Sequence, residues 1–231
     1  MVSHAIKQYI YGQGAALVGF ARLEGLDLPG TMGLPYAISI AYALPLEVIE
    51  SLRNGPTQTY HSQYKEKNAI LNLIGRGVVG LIRSAGYKAH LVEATLEDAG
   101  QENYIESFNG ALPHKTAATL AGLGWIGKSS LFVSSLYGPR VRLGTVLTDL
   151  PLEAGDPVNT GKCGSCRACI KACPVMAIRD REWCVDMGRD DLLDAWACRK
   201  KALELSAGLG IRDSLCGICI WACPVGREDL A

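Results

Sequence analysis

The cysteines carry the clearest chemistry in this sequence, because all nine lie between Cys163 and Cys223. A first run, Cys163 to Pro174, has the spacing C-x2-C-x2-C-x3-C-P, and a second run extends from Cys216 to Pro224. The first spacing is typical of bacterial ferredoxins with two [4Fe–4S] clusters, in which three thiolates of a run bind one cluster and the fourth binds the other. Both runs contain Cys-Ile-x-Ala-Cys-Pro-Val, so we interpret them as an internal repeat.

The ligand count turns this interpretation into a specific prediction. Two clusters need eight thiolates, the runs supply seven, and the eighth must be Cys184 or Cys198. We favour Cys198, in a predicted helical segment, and expect Cys184 to be an ordinary buried thiol beside Trp183. The predicted ligand sets are Cys163, Cys166, Cys169 and Cys223 for the first cluster, and Cys173, Cys198, Cys216 and Cys219 for the second. Zinc in tetrahedral thiolate sites is the alternative, and the dense spacing before a proline favours the clusters.

Composition narrows the class of protein and its partners. The 231 residues contain 23 basic and 23 acidic side chains, with a formal net charge of zero. Polyanion binding depends on clustered Lys and Arg, so the balance argues against nucleic acid or an anionic membrane surface as the main partner. The start of the chain does not resemble a signal peptide, and its apolar stretches are too short to span a bilayer. We therefore predict a cytoplasmic protein, in which clustered cysteines are more often metal ligands than disulfides.

Two regions of different character position these residues. Residues 1–155 alternate helical and extended patterns, Leu150–Gly161 is rich in turn residues, and 156–231 is organised by cysteines. The patterns predict helices from Ser3, Pro45, Ser62 and His114 and over 190–206, and strands over 15–20, 37–43, 89–92, 130–134 and 141–147. The predicted fold class is α+β, with a first domain over 1–155 and a ferredoxin-like domain over 156–231.

A glycine-rich stretch in the first region resembles a cofactor motif. Gly122, Gly124 and Gly127 spell G-x-G-x-x-G. A dinucleotide fingerprint needs a strand before it and a helix after it, whereas here a predicted helix precedes and a predicted strand follows. We interpret the stretch as a turn that lets a flat ligand lie against the backbone. A tight turn without any ligand remains the alternative.

The sequence Ala-Gly-Leu-Gly-Trp-Ile-Gly-Lys at 121–128, preceded by Lys115 and followed by the strand at 143–147 and the two-cluster cysteine pattern, resembles the epoxyqueuosine reductase family and its reductive dehalogenase relatives. The similarity extends from about Tyr36 to Val225. It implies a nitroreductase-like α/β domain that holds base-off cobalamin, with the clusters passing single electrons to cobalt. The cofactor-binding residues it implies are Lys115, Gly122, Leu123, Gly124, Trp125, Ile126, Gly127 and Lys128.

The same resemblance suggests candidates for the substrate site. Tyr60, His61 and Tyr64 fall where the family places polar residues at its mouth, although plain surface solvation would also explain them. The position of the family's proton-donating aspartate is occupied by Phe108, which cannot donate a proton. General acid chemistry would therefore need another group, and the candidates are Glu106, Tyr104 and His114.

These observations lead to one hypothesis with two rivals. We expect a cobalamin-binding iron–sulfur reductase that receives electrons from a donor protein and acts on a small molecule or activates the corrinoid itself. The sequence ends at Ala231 without the helical-repeat extension that many of the family use against tRNA, so with the neutral charge we expect tRNA to be an unlikely partner. The rivals are a non-catalytic electron carrier or corrinoid chaperone, and a reductase with FMN in place of cobalamin.

Overall fold

The computed structural model describes residues 2–26, 28, 30–94 and 112–227, and the chain divides into two compact units. Unit 1 comprises residues 1–42, 67–123 and 142–158, and unit 2 comprises 43–66, 124–141 and 159–231. The cysteine segment lies in unit 2 together with two earlier stretches of the chain. The division into domains at residue 155 stays a prediction.

The helices are α1 (Val2–Gly12), α2 (Leu46–Glu50), α3 (Gln58–Ser84), α4 (His114–Leu120), α5 (Ala168–Ala172), α6 (Ala195–Ala207) and α7 (Ile218–Ala222). The strands are β1 (Leu17–Arg22), β2 (Tyr36–Ala43), β3 (Ala89–Val92), β4 (Gly124–Ile126), β5 (Phe132–Ser134) and β6 (Val141–Thr148), and a 3-10 turn spans Arg189–Asp191.

Unit 1 is built on a four-stranded sheet in the order β1-β2-β6-β3. Strand β1 runs antiparallel to β2 with Val18 opposite Ile40, and β3 runs antiparallel to β6 with His90 opposite Leu147. Successive residues of a strand point to opposite faces, and accordingly Val146 and Leu147 belong to two different buried clusters. The sheet is therefore covered on both faces.

Helices α1 and α3 supply the larger buried cluster of unit 1. Its members include Ile6, Ile10, Leu71, Ile74, Val78 and Ile82 from the two helices and Phe20, Ile38 and Ile40 from the sheet. Helix α4 contributes Ala117 to the second cluster, beside Ala21 and Ala37. The prediction of a mixed helix and sheet fold is confirmed, whereas the nitroreductase-like label stays a prediction.

Unit 2 consists of short elements. Strands β4 and β5 form a two-stranded antiparallel sheet, with Trp125 opposite Val133. Its buried cluster joins residues from 43–66 to residues that precede the second cysteine run: Leu44, Val48, Ile49, Leu52, Tyr60, Ile211 and Leu215. The cysteine segment therefore shares a core with a stretch about 150 residues earlier in sequence.

Most predicted elements are present, and the largest departure is in the C-terminal region. The helix predicted over 190–206 is split into the 3-10 turn and α6, because Asp194 between them caps α6 and accepts a hydrogen bond from the Ala197 amide at 2.9 Å. Helix α3 begins at Gln58, four residues before the predicted Ser62. Within the described ranges, none of the helices combines the length and apolar character that crossing a membrane requires.

Candidate metal centre

The two cysteine runs fold in the same way. Helix α5 contains Cys169 and is followed by Cys173 as its C-cap, and helix α7 contains Cys219 and is followed by Cys223 as its C-cap. Each helix has five residues, and the two pack against each other. The sequence repeat is therefore a repeat of structure, with one cysteine inside each helix and another at its C-terminal end.

One group of neighbouring thiols surrounds Cys169. The pKa of the Cys169 thiol is raised to about 11, mainly by burial and in smaller part by the nearby Cys163, Cys223 and Cys166. Burial also raises the pKa of Cys223, with Cys163 and Cys166 adding to the effect. These four thiols are the set predicted for the first cluster.

A second group surrounds Cys219. Burial is the main reason that the pKa of Cys219 is raised, followed by Cys216, Cys198, Cys169 and Cys173. Burial likewise raises the pKa of Cys198 to about 11, with contributions from Cys216 and Cys173. The thiols near Cys198 are thus those predicted to share its cluster.

Raised pKa values mean that five of the thiols are protonated at neutral pH when no metal is bound, namely those of Cys169, Cys198, Cys216, Cys219 and Cys223. Metals bind the thiolate, so assembly of a cluster must release these protons. Between residues 112 and 227 and in the other described ranges, no three His, Cys, Asp or Glu side chains converge closely enough to hold a single metal ion. The two predicted sets of four thiols, which adjoin each other at Cys169 and Cys219, fit two [4Fe–4S] clusters.

Cys184 has a different environment. It pairs with Thr160 in an isolated antiparallel bridge, beside the buried Trp183. The thiols that raise the pKa of Cys198 are Cys216 and Cys173, so Cys198 is the better candidate for the eighth ligand. The ligand sets themselves stay a prediction.

Lys128 is bonded to the first cysteine run. Its Nζ donates to the carbonyl oxygen of Gly164 at 2.8 Å and pairs with the Asp180 carboxylate at 2.9 Å. The hydrogen bond to Asp180 raises the pKa of Lys128, and the lysine is only 6% exposed. Lys128 was predicted as a cofactor ligand, and its ammonium here holds the loop between Cys163 and Cys166.

The glycines of the motif lie against the protein's own atoms. Gly122, at φ +75°, would place a Cβ 2.8 Å from the carbonyl oxygen of Asp156. A Cβ at Gly124 would meet the carbonyl oxygen of Val133, and one at Gly127 would lie 2.9 Å from a methyl group of Val133. These contacts explain the glycines by close packing, which was the alternative to ligand binding.

Trp125, in the same stretch, has a hydrogen-bond donor without a partner in the described part of the chain. Its indole Nε1 is buried and, among the described residues, is one of two buried side-chain atoms without a hydrogen-bond partner. The ring also lies 5.9 Å from the Lys162 ammonium. A buried N–H without a partner is costly, so this donor is the feature of 122–128 that suits a ligand acceptor. Leu123 packs in unit 1, and Ile126 is buried.

The three residues predicted at the mouth of the substrate site differ in exposure. Tyr60 is 4% exposed and lies in the buried cluster of unit 2, against which Tyr64 packs. His61 is closer to the surface, and its Nε2 lies 2.7 Å from Oδ2 of Asp213. The carboxylate fixes the orientation of the imidazole ring, an arrangement suited to proton transfer.

His114 is held on both sides by the protein. Its Nδ1 lies 2.8 Å from the Thr145 hydroxyl and its Nε2 lies 2.9 Å from the Glu93 carbonyl oxygen. Because a carbonyl only accepts, Nε2 carries the proton. Burial lowers the pKa of His114, which keeps the ring neutral. Lys115 is half-buried in α4, whereas Glu106, Tyr104 and Phe108 lie outside the described residues.

Comparison with known proteins defines the class of this centre. Residues 162–226 match the 4Fe-4S double cluster binding domain. The epoxyqueuosine reductase of Aliivibrio fischeri is 30% identical over 210 residues, and that of Vibrio cholerae is 32% identical over 202 residues. Each alignment covers 87% of this chain and 51% of the relative. The chain thus spans about half the length of these curated relatives.

Solved structures of two kinds share the fold. The catabolic reductive dehalogenase NpRdhA in complex with 3-bromo-4-hydroxybenzoic acid has a TM-score of 0.73 at 23% identity, covering 97% of this chain and 32% of its own. An epoxyqueuosine reductase with a tRNA-Tyr epoxyqueuosine-modified tRNA stem loop has a TM-score of 0.61 at 19% identity, covering 97% and 65%. The predicted resemblance is confirmed: the chain is a homologue of epoxyqueuosine reductases with a 4Fe-4S double cluster binding domain, and it shares its fold with the reductive dehalogenase.

The prediction that tRNA is an unlikely partner is wrong. The relatives above are epoxyqueuosine reductases, and one structural neighbour holds a tRNA stem loop. The net charge of zero is a sum over the whole chain, whereas contacts to a stem loop need only a local group of basic and polar side chains.

Sequence reasoning also missed functional candidates in the first cysteine loop. Glu182 accepts hydrogen bonds from the amides of Cys163 and Gly164, and Asp180 pairs with both Lys128 and Arg167. The signal in the sequence is limited to a charged run, 179–182, shortly after the first cysteine run. Charges in that position are typical of a solvated surface, so the pattern alone did not distinguish them.

Proposed function

We propose that this chain is an epoxyqueuosine reductase-like oxidoreductase in which two [4Fe–4S] clusters deliver electrons to a corrinoid. The observation that carries the proposal is the gathering of cysteine thiols around Cys169 and around Cys219, within a segment that matches a double-cluster domain. Two clusters form a path for single electrons, and a path of this kind needs an acceptor in the same protein or in a partner.

The proposed substrate is a modified nucleoside in tRNA. Support comes from the two relatives above, which are epoxyqueuosine reductases and align with 87% of this chain. The structural neighbour with an epoxyqueuosine-modified tRNA stem loop supports the same substrate. The fold shared with these proteins also supports a corrinoid as the acceptor of the electrons. A small organic substrate of the kind in the dehalogenase structure is the outcome to be distinguished by experiment.

A bound corrinoid would supply the one-electron and nucleophilic chemistry of cobalt, which no amino-acid side chain provides. In this chain the residues proposed to contact it are Lys115 and the stretch 122–127. Trp125 Nε1 is the open donor there. Lys128 is occupied by Gly164 and Asp180, so its part is to hold the iron–sulfur loop.

The proton donor is the second open assignment, because Phe108 replaces the acid that the family uses. Of the two histidines among the candidates, we propose His61. Its Nε2 lies 2.7 Å from the half-exposed carboxylate of Asp213, whereas both ring nitrogens of His114 are bonded within unit 1.

The test starts from protein purified and reconstituted under strict exclusion of oxygen. Iron, acid-labile sulfide, corrinoid and flavin are measured in the same preparation, and the loaded protein is then incubated with a reductant and epoxyqueuosine-containing tRNA. We expect about eight irons per chain, a corrinoid that survives gel filtration, and loss of the epoxyqueuosine nucleoside in digests analysed by mass spectrometry.

Two cysteine variants test whether turnover depends on the clusters. Cys219→Ala should abolish turnover, while Cys184→Ala should retain it. Loss of all corrinoid on gel filtration with retained FMN would replace the acceptor by flavin. Reduction of the clusters and cobalt without any change in the nucleoside would overturn the proposed substrate and favour an electron carrier.

A further inference from the structure

We infer that four charged side chains form a clamp on the loop between Cys163 and Cys166, position that loop, and set the reduction potential of the cluster bound there. The clamp consists of Lys128, Arg167, Asp180 and Glu182. This inference rests on the proposed ligand set for the first cluster, and it assigns to these residues a role in tuning electron transfer.

Glu182 binds the start of the loop through both of its oxygens. The Cys163 amide donates to Oε1 at 3.0 Å, and the Gly164 amide donates to Oε2 at 2.7 Å. Hydrogen bonds from an amide to a carboxylate are charge-assisted and stronger than neutral ones. The two amides at the first ligand are therefore directed to a carboxylate and are kept away from sulfur.

Lys128 binds the opposite polar group of the same loop. Its Nζ donates to the Gly164 carbonyl oxygen, so both the amide and the carbonyl of Gly164 are held by charged side chains. Gly127, directly before this lysine, would place a Cβ 3.5 Å from Sγ of Cys163. The backbone directly before the lysine therefore lies close to the sulfur of the first ligand.

Asp180 links the lysine to the second ligand of the loop. Its Oδ1 lies 2.9 Å from Lys128 Nζ, and its Oδ2 lies 2.8 Å from Nε of Arg167, the residue after Cys166. Two carboxylates and two cations thus surround one loop, with a net charge of zero. Removing any one of them leaves a net charge beside the cluster.

A short ladder holds Glu182 in place. The Gly161 amide donates to the Trp183 carbonyl oxygen at 2.7 Å, and Thr160 pairs with Cys184. A Cβ on Gly161 would collide with Oε1 of Glu182, so the glycine makes room for the carboxylate. The ladder thus includes the backbone of Cys184.

Charge and hydrogen bonding act on a cluster in known directions. The reduction potential of an iron–sulfur cluster depends on net charge and on hydrogen bonds to its sulfurs. A reduced cluster carries one more negative charge, so Glu182 disfavours reduction and Lys128 favours it. Opposite shifts are therefore expected from neutralising these two residues.

The experiment measures midpoint potentials of the reconstituted full chain by redox titration with electron paramagnetic resonance. Glu182→Gln should raise the potential of one of the two clusters, and Lys128→Met should lower the potential of that same cluster. Glu182→Asp retains the charge, so it should return the potential towards the wild-type value. An unchanged potential in either neutralising variant, or an equal shift of both clusters, would overturn the clamp.

Controls separate charge from position and the clamp from the ligands. Glu47→Gln and Lys65→Met make the same charge changes at exposed sites of unit 2, and both potentials should stay unchanged. Should Glu182→Gln fail to assemble, the lowered potential of Lys128→Met still decides the question. Cys166→Ala tests the ligand set independently. If this variant keeps all of its iron, the ligand assignment is wrong. If it loses one cluster while Glu182→Gln leaves both potentials unchanged, the ligand assignment stands and only the clamp is wrong.

Discussion

Cys184 and Cys198 are the two cysteines outside the repeated runs, and both are partly buried. Cys198 lies among Cys216 and Cys173, whereas Cys184 pairs through its backbone with Thr160. Cys198→Ala should therefore lower the iron content by about half, because one of two four-iron clusters loses a ligand. Cys184→Ala should leave the iron content and both paramagnetic resonance signals unchanged. Iron analysis after anaerobic gel filtration measures the effect, and the reverse pattern would exchange the two assignments.

The environment of His114 predicts how the free energy of unfolding depends on pH. Burial lowers its pKa from 6.5 in the folded protein, so as the pH falls below about 6.5 the unfolded chain takes up a proton that the folded chain does not. The free energy of unfolding should therefore fall with decreasing pH in this window, by at most about 1.4 kcal/mol per pH unit from this one group. The loss stops once the pH falls below the folded-state pKa.

Urea unfolding at pH 7.5 and pH 5.5 checks the effect. In His114→Gln the difference between the two pH values should be smaller than in the wild type. His90→Gln, at an exposed position of β3, is the control and should retain the wild-type difference. An unaltered pH dependence in His114→Gln would show that the folded protein does not keep this ring neutral.

At the scale of an element, replacing two of the three glycines in helix α3 by alanine should change the stability of the protein in opposite directions. A Cβ at Gly77 would collide with the Tyr9 side chain of α1, whereas at Gly80 nothing lies within 4 Å. Gly80→Ala should stabilise the protein by about 0.5–1 kcal/mol, since alanine favours the helix. Gly77→Ala should destabilise it by about 1–3 kcal/mol despite the same gain in propensity, because the packing is already tight. Chemical unfolding of both variants measures the pair, and equal stabilisation would mean that α1 does not restrict this position.

The elements themselves could be predicted largely from the sequence because their signals are local. The spacing of Ile70, Ile74 and Val78 defines α3, and the predicted strand at 89–92 agrees with β3. Contacts between distant residues leave no such signal. The bond from Lys128 to Gly164 joins residues 36 positions apart, and no periodicity indicates it. The same reason explains why the cysteine sets could be proposed from spacing while the partners of Glu182 could not.

The split of the predicted helix over 190–206 shows a related difficulty. Leu192 and Leu193 continue an apolar pattern that suggests one helix, yet the Asp194 side chain caps α6 and ends that continuity. Aspartate is favoured at N-caps because its side-chain oxygen accepts a hydrogen bond from a backbone amide of the first turn. The position of the cap depends on where Ala177 and Asp194 meet, since the Asp194 amide donates to the Ala177 carbonyl oxygen at 2.8 Å. Tertiary structure thus decides between two locally acceptable arrangements.

At the scale of the whole molecule, the two compact units alternate along the chain. Each is assembled from three segments. The buried cluster of unit 2 places Ile211 and Leu215 against side chains from 43–66. A division at residue 155 would remove those partners from the cysteine segment.

The segment 156–231 produced alone therefore tests the predicted domain boundary. Ile211 and Leu215 are 5% and 6% exposed in the full chain, and burying each side chain contributes about 1.5–3 kcal/mol. Without Leu44, Val48 and Leu52 this contribution is lost, so the isolated segment should release iron faster and lose its cluster absorbance at a lower temperature than the full chain. Ile211→Ala in the full chain should give an intermediate result, since it removes part of the same cluster. Equal iron retention by the segment and the full chain would instead establish 156–231 as an independent ferredoxin-like domain, with the core around Ile211 contributing little to holding the clusters.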